Sequence, residues 1–231
     1  MSKQRRRIII MLNEVKGKLI ISCQALPDEP LHSPFIMGRM ALAATMAGAS
    51  GIRAQGMADI LEIKQNTKLP IIGIVKRNYD DSEIYITPTK KEVDELLAVG
   101  VEMIALDATN RPRPNGEKLE DLVAYIKSKG VEAMADCSTV EECYEAERIG
   151  FDCVSTTLFG YTPYSVKLEG PAIKEIKELV ANLKVPLIAE GKINTPQDLK
   201  EVLEAGAYCA VVGGAITRPL QIAQRFTAVI K

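Results

Sequence analysis

The sequence predicts an α/β fold, a (β/α)8 TIM barrel built by residues 1–231 as one domain, with residues 1–16 as a short N-terminal extension. Three features carry that reading. Eight short apolar runs alternate with helix-like stretches along the whole chain. Five of those stretches stop at a glycine just ahead of the next run, at Gly48, Gly100, Gly130, Gly150 and Gly206, where the left-handed backbone that ends a helix suits glycine. Seven of the eight runs carry a polar residue at or just past the carboxyl end. Right-handed crossovers repeated eight times close most economically as a barrel. An open doubly wound sheet is the runner-up, and no G-x-G-x-x-G follows the first strand to favour it.

The predicted strands run Leu19 to Cys23, Gly51 to Arg53, Pro70 to Lys76, Val101 to Asp107, Val131 to Asp136, Asp152 to Thr156, Val185 to Glu190 and Tyr208 to Gly213. Capping signals open several of the helices between them. Thr89 with Glu92 and Thr139 with Glu142 have capping-box spacing, and Thr195 precedes a proline at the first helical position.

Composition narrows the function. At 231 residues, 47% hydrophobic and 26% charged, the chain can bury one large core. The 29 basic and 30 acidic residues nearly cancel, so no broad cationic surface points to nucleic acid or an anionic membrane, and a small ligand is expected. Five cysteines without a C-x-x-C pair read as buried thiols in a reducing cytoplasm. The lone His32 cannot build a multi-histidine zinc site. The opening MSKQRRRIIIML has too short an apolar stretch for a signal peptide, and no window of 18 apolar residues spans a membrane.

In a barrel the carboxyl ends of the strands share one mouth, so Gln24, Arg53, Lys76, Asp107, Asp136, Thr156, Thr157 and Glu190 are expected to converge there. After the last strand, Gly213 and Gly214 let backbone amides approach an anion, and Arg218 follows within reach, which reads as a phosphate cradle. The same two glycines also suit a plain strand-to-helix turn. A lysine at a desolvated strand end gives up its proton more readily, so Lys76 with a nearby carboxylate suits proton removal beside a carbonyl. The set equally suits a lysine Schiff-base aldolase, and three carboxylates suit magnesium.

The stretches SCQALPDEPLH (Ser22 to His32), GIRAQG (Gly51 to Gly56), PIIGIVKRNYDDSEIYITPT (Pro70 to Thr89), IALDAT (Ile104 to Thr109), MADCST (Met134 to Thr139), STTLFGYTPY (Ser155 to Tyr164), IAEGKINTP (Ile188 to Pro196) and VVGGAITRP (Val211 to Pro219) closely resemble the N-acetylmannosamine-6-phosphate 2-epimerases. The resemblance covers nearly everything after about residue 17. It implies a barrel of the ribulose-phosphate-binding kind. The implied reaction interconverts N-acetylmannosamine 6-phosphate and N-acetylglucosamine 6-phosphate in sialic-acid and amino-sugar catabolism, without metal or organic cofactor.

Carried over by motif, Lys76 would abstract and return the C2 proton, and Glu190 would handle protons on the sugar oxygens. Gln24, Arg53, Asp136, Gly191 and Lys192 would bind substrate, and Gly213, Gly214 and Arg218 the phosphate. The resemblance also implies a homodimer. Two further readings stand beside it: another phosphosugar epimerase or isomerase of the related barrels, whose metal-binding histidines this chain lacks, and a non-catalytic phosphate-sensing regulatory barrel, which needs a nucleic-acid module that is absent from the sequence.

Overall fold

The computed structural model describes residues 11–230. Eight parallel strands close into a TIM barrel in chain order: β1 (Leu19–Cys23), β2 (Gly51–Gln55), β3 (Ile71–Ile74), β4 (Met103–Asp107), β5 (Glu132–Asp136), β6 (Cys153–Ser155), β7 (Leu187–Glu190) and β8 (Cys209–Val212). A helical stretch, 11–15 (α1), precedes β1. The later helices are α2 (Pro34–Met46), α3 (Met57–Asn66), α4 (Lys90–Val99), α5 (Leu119–Ser128), α6 (Val140–Ile149), α7 (Ile173–Asn182) and α8 (Pro196–Glu204). After β8 come the one-turn α9 (Gly214–Thr217) and α10 (Pro219–Thr227).

The strands read as continuous apolar runs because both of their faces are buried. Side chains alternate across each strand, so Ile20, Ile72, Met103, Met134, Ile188 and Cys209 fill the barrel interior. Their neighbours Ile21, Ile52, Ile71, Ile104, Ala133 and Ala189 pack outward against the helices. The helices start and stop where the sequence signals them. Capping boxes form at Thr89 with Glu92, Thr139 with Glu142 and Thr195 with Asp198, each satisfying amides that the first turn leaves unpaired. Gly100 and Gly150 end α4 and α6 at φ 72° and 102°, a conformation that costs a residue with a Cβ. All five cysteines are buried and free, and no helix among the described residues is long and apolar enough to cross a membrane.

Two expectations need correction. Residues 1–10 of the supposed extension lie outside the described residues, but 11–15 do not extend from the barrel. Met11 and Val15 are 1% and 0% exposed and pack into the interior cluster with Ile20 and Cys209, stopping the floor of the barrel. Two such side chains contribute about 1.5–3 kcal/mol each when fully buried, which explains why an apolar face appears there. The third strand is also shorter than expected: β3 ends at Ile74, because the chain beyond it pairs with a segment returning from its own loop, so that Lys76 bridges Ile86 in antiparallel fashion.

Candidate active site

At the carboxyl ends of the strands a cavity of about 520 Å³ opens. Its walls include Gln24, Arg53, Lys76 and Glu190 from the first, second, third and seventh βα units. Gly191, Lys192, Gly213, Gly214 and Arg218 line it as well. Nine of the ten residues given a catalytic, substrate or phosphate role from the sequence therefore share one cavity, and of the other strand-end residues expected there Thr157 lines it while Asp107 and Thr156 do not.

Asp136 is the exception, and its place explains Arg53. It is fully buried behind the guanidinium and does not line the cavity. Arg53 Nη1 and Nη2 donate to Asp136 Oδ1 and Oδ2 at 3.0 and 2.6 Å, a two-pronged pair that fixes the fork. Nη1 also donates to Glu190 Oε2 at 2.6 Å. Thr157 Oγ1 and Ser155 Oγ donate to Asp136 Oδ1 at 2.8 and 3.1 Å, bracing the aspartate from β6. Burial pulls the Arg53 guanidinium down, but Asp136 and Glu190 outweigh it and hold the charge in place. Burial pushes the Glu190 carboxyl up; Arg53 opposes this and Asp136 adds to it. One cation thus faces two carboxylates, and the carboxyl nearer the cavity has a raised proton affinity.

Lys76 has the opposite environment. It lines the cavity, and among the described residues no hydrogen bond or ion pair holds its amine. Burial first, then the charges of Arg218 and Arg53, lower it to about 8, against smaller opposing pulls from Glu190 and Glu29. Desolvation and two arginines therefore outweigh the nearby carboxylates, and Arg218, singled out as a phosphate ligand, also lowers the lysine.

The last wall is the β8 exit. A Cβ on Gly213 would meet Ser22 Cβ at 3.3 Å, so a larger residue would crowd that position, whereas one on Gly214 would meet only the movable end of Gln221, Oε1 at 3.0 Å. Thr217 Oγ1 donates to Ser22 O at 2.6 Å and ties α9 to β1. Arg218 Nε lies 3.1 Å from Glu29 Oε1. Glu29 carries no signal of this role in the sequence, because it sits in the loop between β1 and α2, where no periodicity points to it. Tyr161 carries none either, and its ring lies 4.9 Å from the Lys192 ammonium. Lys192 itself adopts φ 55°, next to Gly191 at 99°, so this turn after β7 is bent sharply into the mouth.

Asp107 does not join the site. Thr109 Oγ1 donates to it at 2.6 Å and Arg111 Nη2 at 2.7 Å, so this strand-end carboxylate braces its own loop. No group of three or more potential metal ligands is assembled among the described residues.

The chain is similar to known proteins over nearly its whole length. The family described as "Putative N-acetylmannosamine-6-phosphate epimerase" matches residues 37–231. A protein of Clostridium perfringens strain SM101, named "Putative N-acetylmannosamine-6-phosphate 2-epimerase", is 67% identical over 221 residues, 96% of this chain and 100% of its own length. One of the same name from Clostridioides difficile strain 630 is 64% identical, covering 96% of this chain and 99% of its own. The solved structure of the N-acetylmannosamine-6-phosphate 2-epimerase from Clostridium perfringens superposes with a TM-score of 0.94 at 67% identity, over 95% of this chain and 96% of that one.

Proposed function

The chain belongs to the N-acetylmannosamine-6-phosphate 2-epimerase family, and from that premise we propose how its residues divide the work of inverting C2 in a phosphorylated amino sugar. The reaction interconverts N-acetylmannosamine 6-phosphate and N-acetylglucosamine 6-phosphate. The single observation that carries the assignment is Lys76: a cavity-lining amine lowered to about 8 by burial and by two flanking arginines.

The sugar ring must first open, because only the aldehyde form makes the C2 proton acidic. Glu190, whose carboxyl is raised by burial, holds or accepts a proton near neutral pH and moves it between the ring and C1 oxygens. Lys76 then removes the C2 proton as a neutral amine. With a pKa of about 8, about a tenth of it is neutral at pH 7. Negative charge builds on the C1 oxygen as the enolate forms, and the fixed Arg53 guanidinium stabilises it without reorganising, because Asp136 already holds its fork. Return of the proton to the other face of the planar carbon gives the epimer. Asp136 acts through Arg53; it does not touch the sugar.

The phosphate is gripped by Arg218 and the amides of the Gly213 to Ala215 turn, with Gln24 and Lys192 on the sugar. The substrate's phosphate takes the place that Glu29 holds on Arg218. No resident metal enters this scheme, since the carboxylates that a cation would need are committed to Arg53. We also assign the chain to the cytoplasm as a homodimer of one-domain subunits. Five free thiols support the first. For the second, α10 buries none of its residues, and Phe226, Val229 and Ile230 are exposed and invite a second copy.

The test is incubation of the enzyme, after exhaustive chelation, with either sugar phosphate in deuterated water. Deuterium entering C2 of both epimers is expected. Activity restored only by a divalent ion, or a borohydride-trapped lysine adduct in place of C2 exchange, would refute the scheme.

A further inference from the structure

The chain leaves the barrel before it reaches the base. β3 ends at Ile74, and at the level of Lys76 the neighbouring strand is no longer β4. Residues 85–87 fold back and wedge between the two. Lys76 bridges Ile86, the Arg77 amide donates to Tyr85 O at 3.0 Å, and on the far side the Asp107 amide donates to Ile86 O at 3.1 Å.

Thr87 closes the wedge. Its amide donates to Val75 O at 2.8 Å, and its Oγ1 accepts from the Val75 amide at 3.3 Å. One residue therefore satisfies both backbone groups of the residue next to the lysine. Val75 is buried, so its amide has no water to turn to. On the other flank, Arg77 reaches Glu95 of α4 at 3.0 Å and also bonds Glu92.

Thr87 makes these bonds from a conformation that its sequence disfavours. It sits at φ 44°, fully buried. A β-branched residue is rare in the left-handed region, and a residue before proline, here Pro88, is pushed towards extended backbone. Glycine or asparagine would adopt this conformation more easily. Such strain persists only where the surroundings impose it, and it gathers at functional sites.

We propose that Thr87 is a positioning residue for Lys76: its hydroxyl and amide clamp Val75 and so set the line along which the lysine amine enters the cavity. A hydroxyl is needed because it fits this buried corner and accepts the Val75 amide, which neither glycine nor valine can do. The clamp also keeps Ile86 against the cavity wall beside Lys76 and keeps water off the amine. This inference rests on Lys76 being the base and adds how the base is aimed.

Thr87→Val, Thr87→Ser and Thr87→Gly, measured beside Lys76→Ala, test it. Removing the hydroxyl in Thr87→Val should lower kcat and C2 exchange about tenfold or more, since a small misplacement of a catalytic group is that costly. KM should stay within about twofold, because the phosphate grip lies on other strands. The ascending limb of kcat/KM should move to higher pH as water reaches the amine, and Thr87→Ser should restore both rate and limb. Thr87→Gly relieves the left-handed backbone and serves if the valine variant does not fold; it should show the same losses. A wild-type rate and limb in the valine or glycine variant would overturn the proposal, as would a serine variant as impaired as valine. If Lys76→Ala keeps C2 exchange, the base assignment itself falls; if it is inactive while the Thr87 variants behave as wild type, only the clamp does.

Discussion

Two glutamates face the inside of this barrel, one at each end, the half-buried Glu190 and the buried Glu132. Glu190 closes β7 at the mouth, and Glu132 opens β5 at the floor, paired beside Met103 and on the same face as Met134 and Asp136. Burial raises both carboxyls; Glu132 is pushed up to about 8, with Asp152 adding to it. Glu190 has Arg53 at 2.6 Å and an open cavity in front of it. Glu132 has neither, and its Oε2 lacks a hydrogen-bond partner among the described residues. A perturbed acid marks a site only when a cation, a cavity and a second titrating group converge on it. The mouth has that convergence; the floor has a buried carboxyl with a second carboxylate, Asp152, as its charged neighbour.

Variants at the two ends should therefore fail differently. Arg53→Met should do the most harm, removing one cation from the buried Asp136 and the half-buried Glu190. Loss of one partner of a buried pair costs about 3–5 kcal/mol, so the melting temperature should fall steeply and epimerisation should vanish. An active, stable variant would show that Asp136 and Glu190 do not depend on it. At the floor, Met11→Ala should cost about 2–5 kcal/mol by leaving a cavity, with KM unchanged in whatever enzyme remains folded. A KM change there would show that the two ends are coupled.

How much of this was legible in the sequence follows the same division. The strands, glycine stops and capping boxes are local, so Thr89, Thr139 and Gly150 announced themselves. The mouth residues were legible because the barrel rule brings strand ends together, which placed Lys76, Arg53 and Glu190 in one cavity. Two things were not. Asp107 and Asp136 read alike as strand-end carboxylates, and only packing shows one bracing Arg111 and the other bracing Arg53. The stopper role of Met11 and the clamp at Thr87 arise from contacts far along the chain or from a backbone dihedral, neither of which leaves a periodic trace.

Arg218→Ala comes next in size. A charge-assisted bond contributes about 1.5–3 kcal/mol, so KM should rise about 10- to 100-fold, while kcat near pH 7 should fall less than KM rises, because the grip is the same in ground and transition states but the loss of a charge that lowers Lys76 leaves less neutral amine. A loss confined to kcat would place Arg218 in the chemistry. Glu132→Gln should show the smallest effect, in stability alone. The folded carboxyl holds its proton up to about 8, whereas the unfolded one releases it near 4.3. Wild-type stability is therefore fully present below the lower value and is lost as pH rises through the upper one. The melting-temperature difference between variant and wild type should widen in the variant's favour between these values and then level off, while C2 exchange stays at the wild-type rate. A flat difference, or a tenfold loss of exchange, would break the contrast between floor and mouth.

The pH dependence of C2 exchange above pH 7, where the substrate phosphate no longer titrates, tests the central claim most directly. With Lys76 as a base lowered to about 8 by burial, Arg218 and Arg53, kcat/KM should climb through an inflection near that value and then plateau. A rate that keeps climbing to the ordinary lysine range above pH 10, or one with no ascending limb, would contradict it.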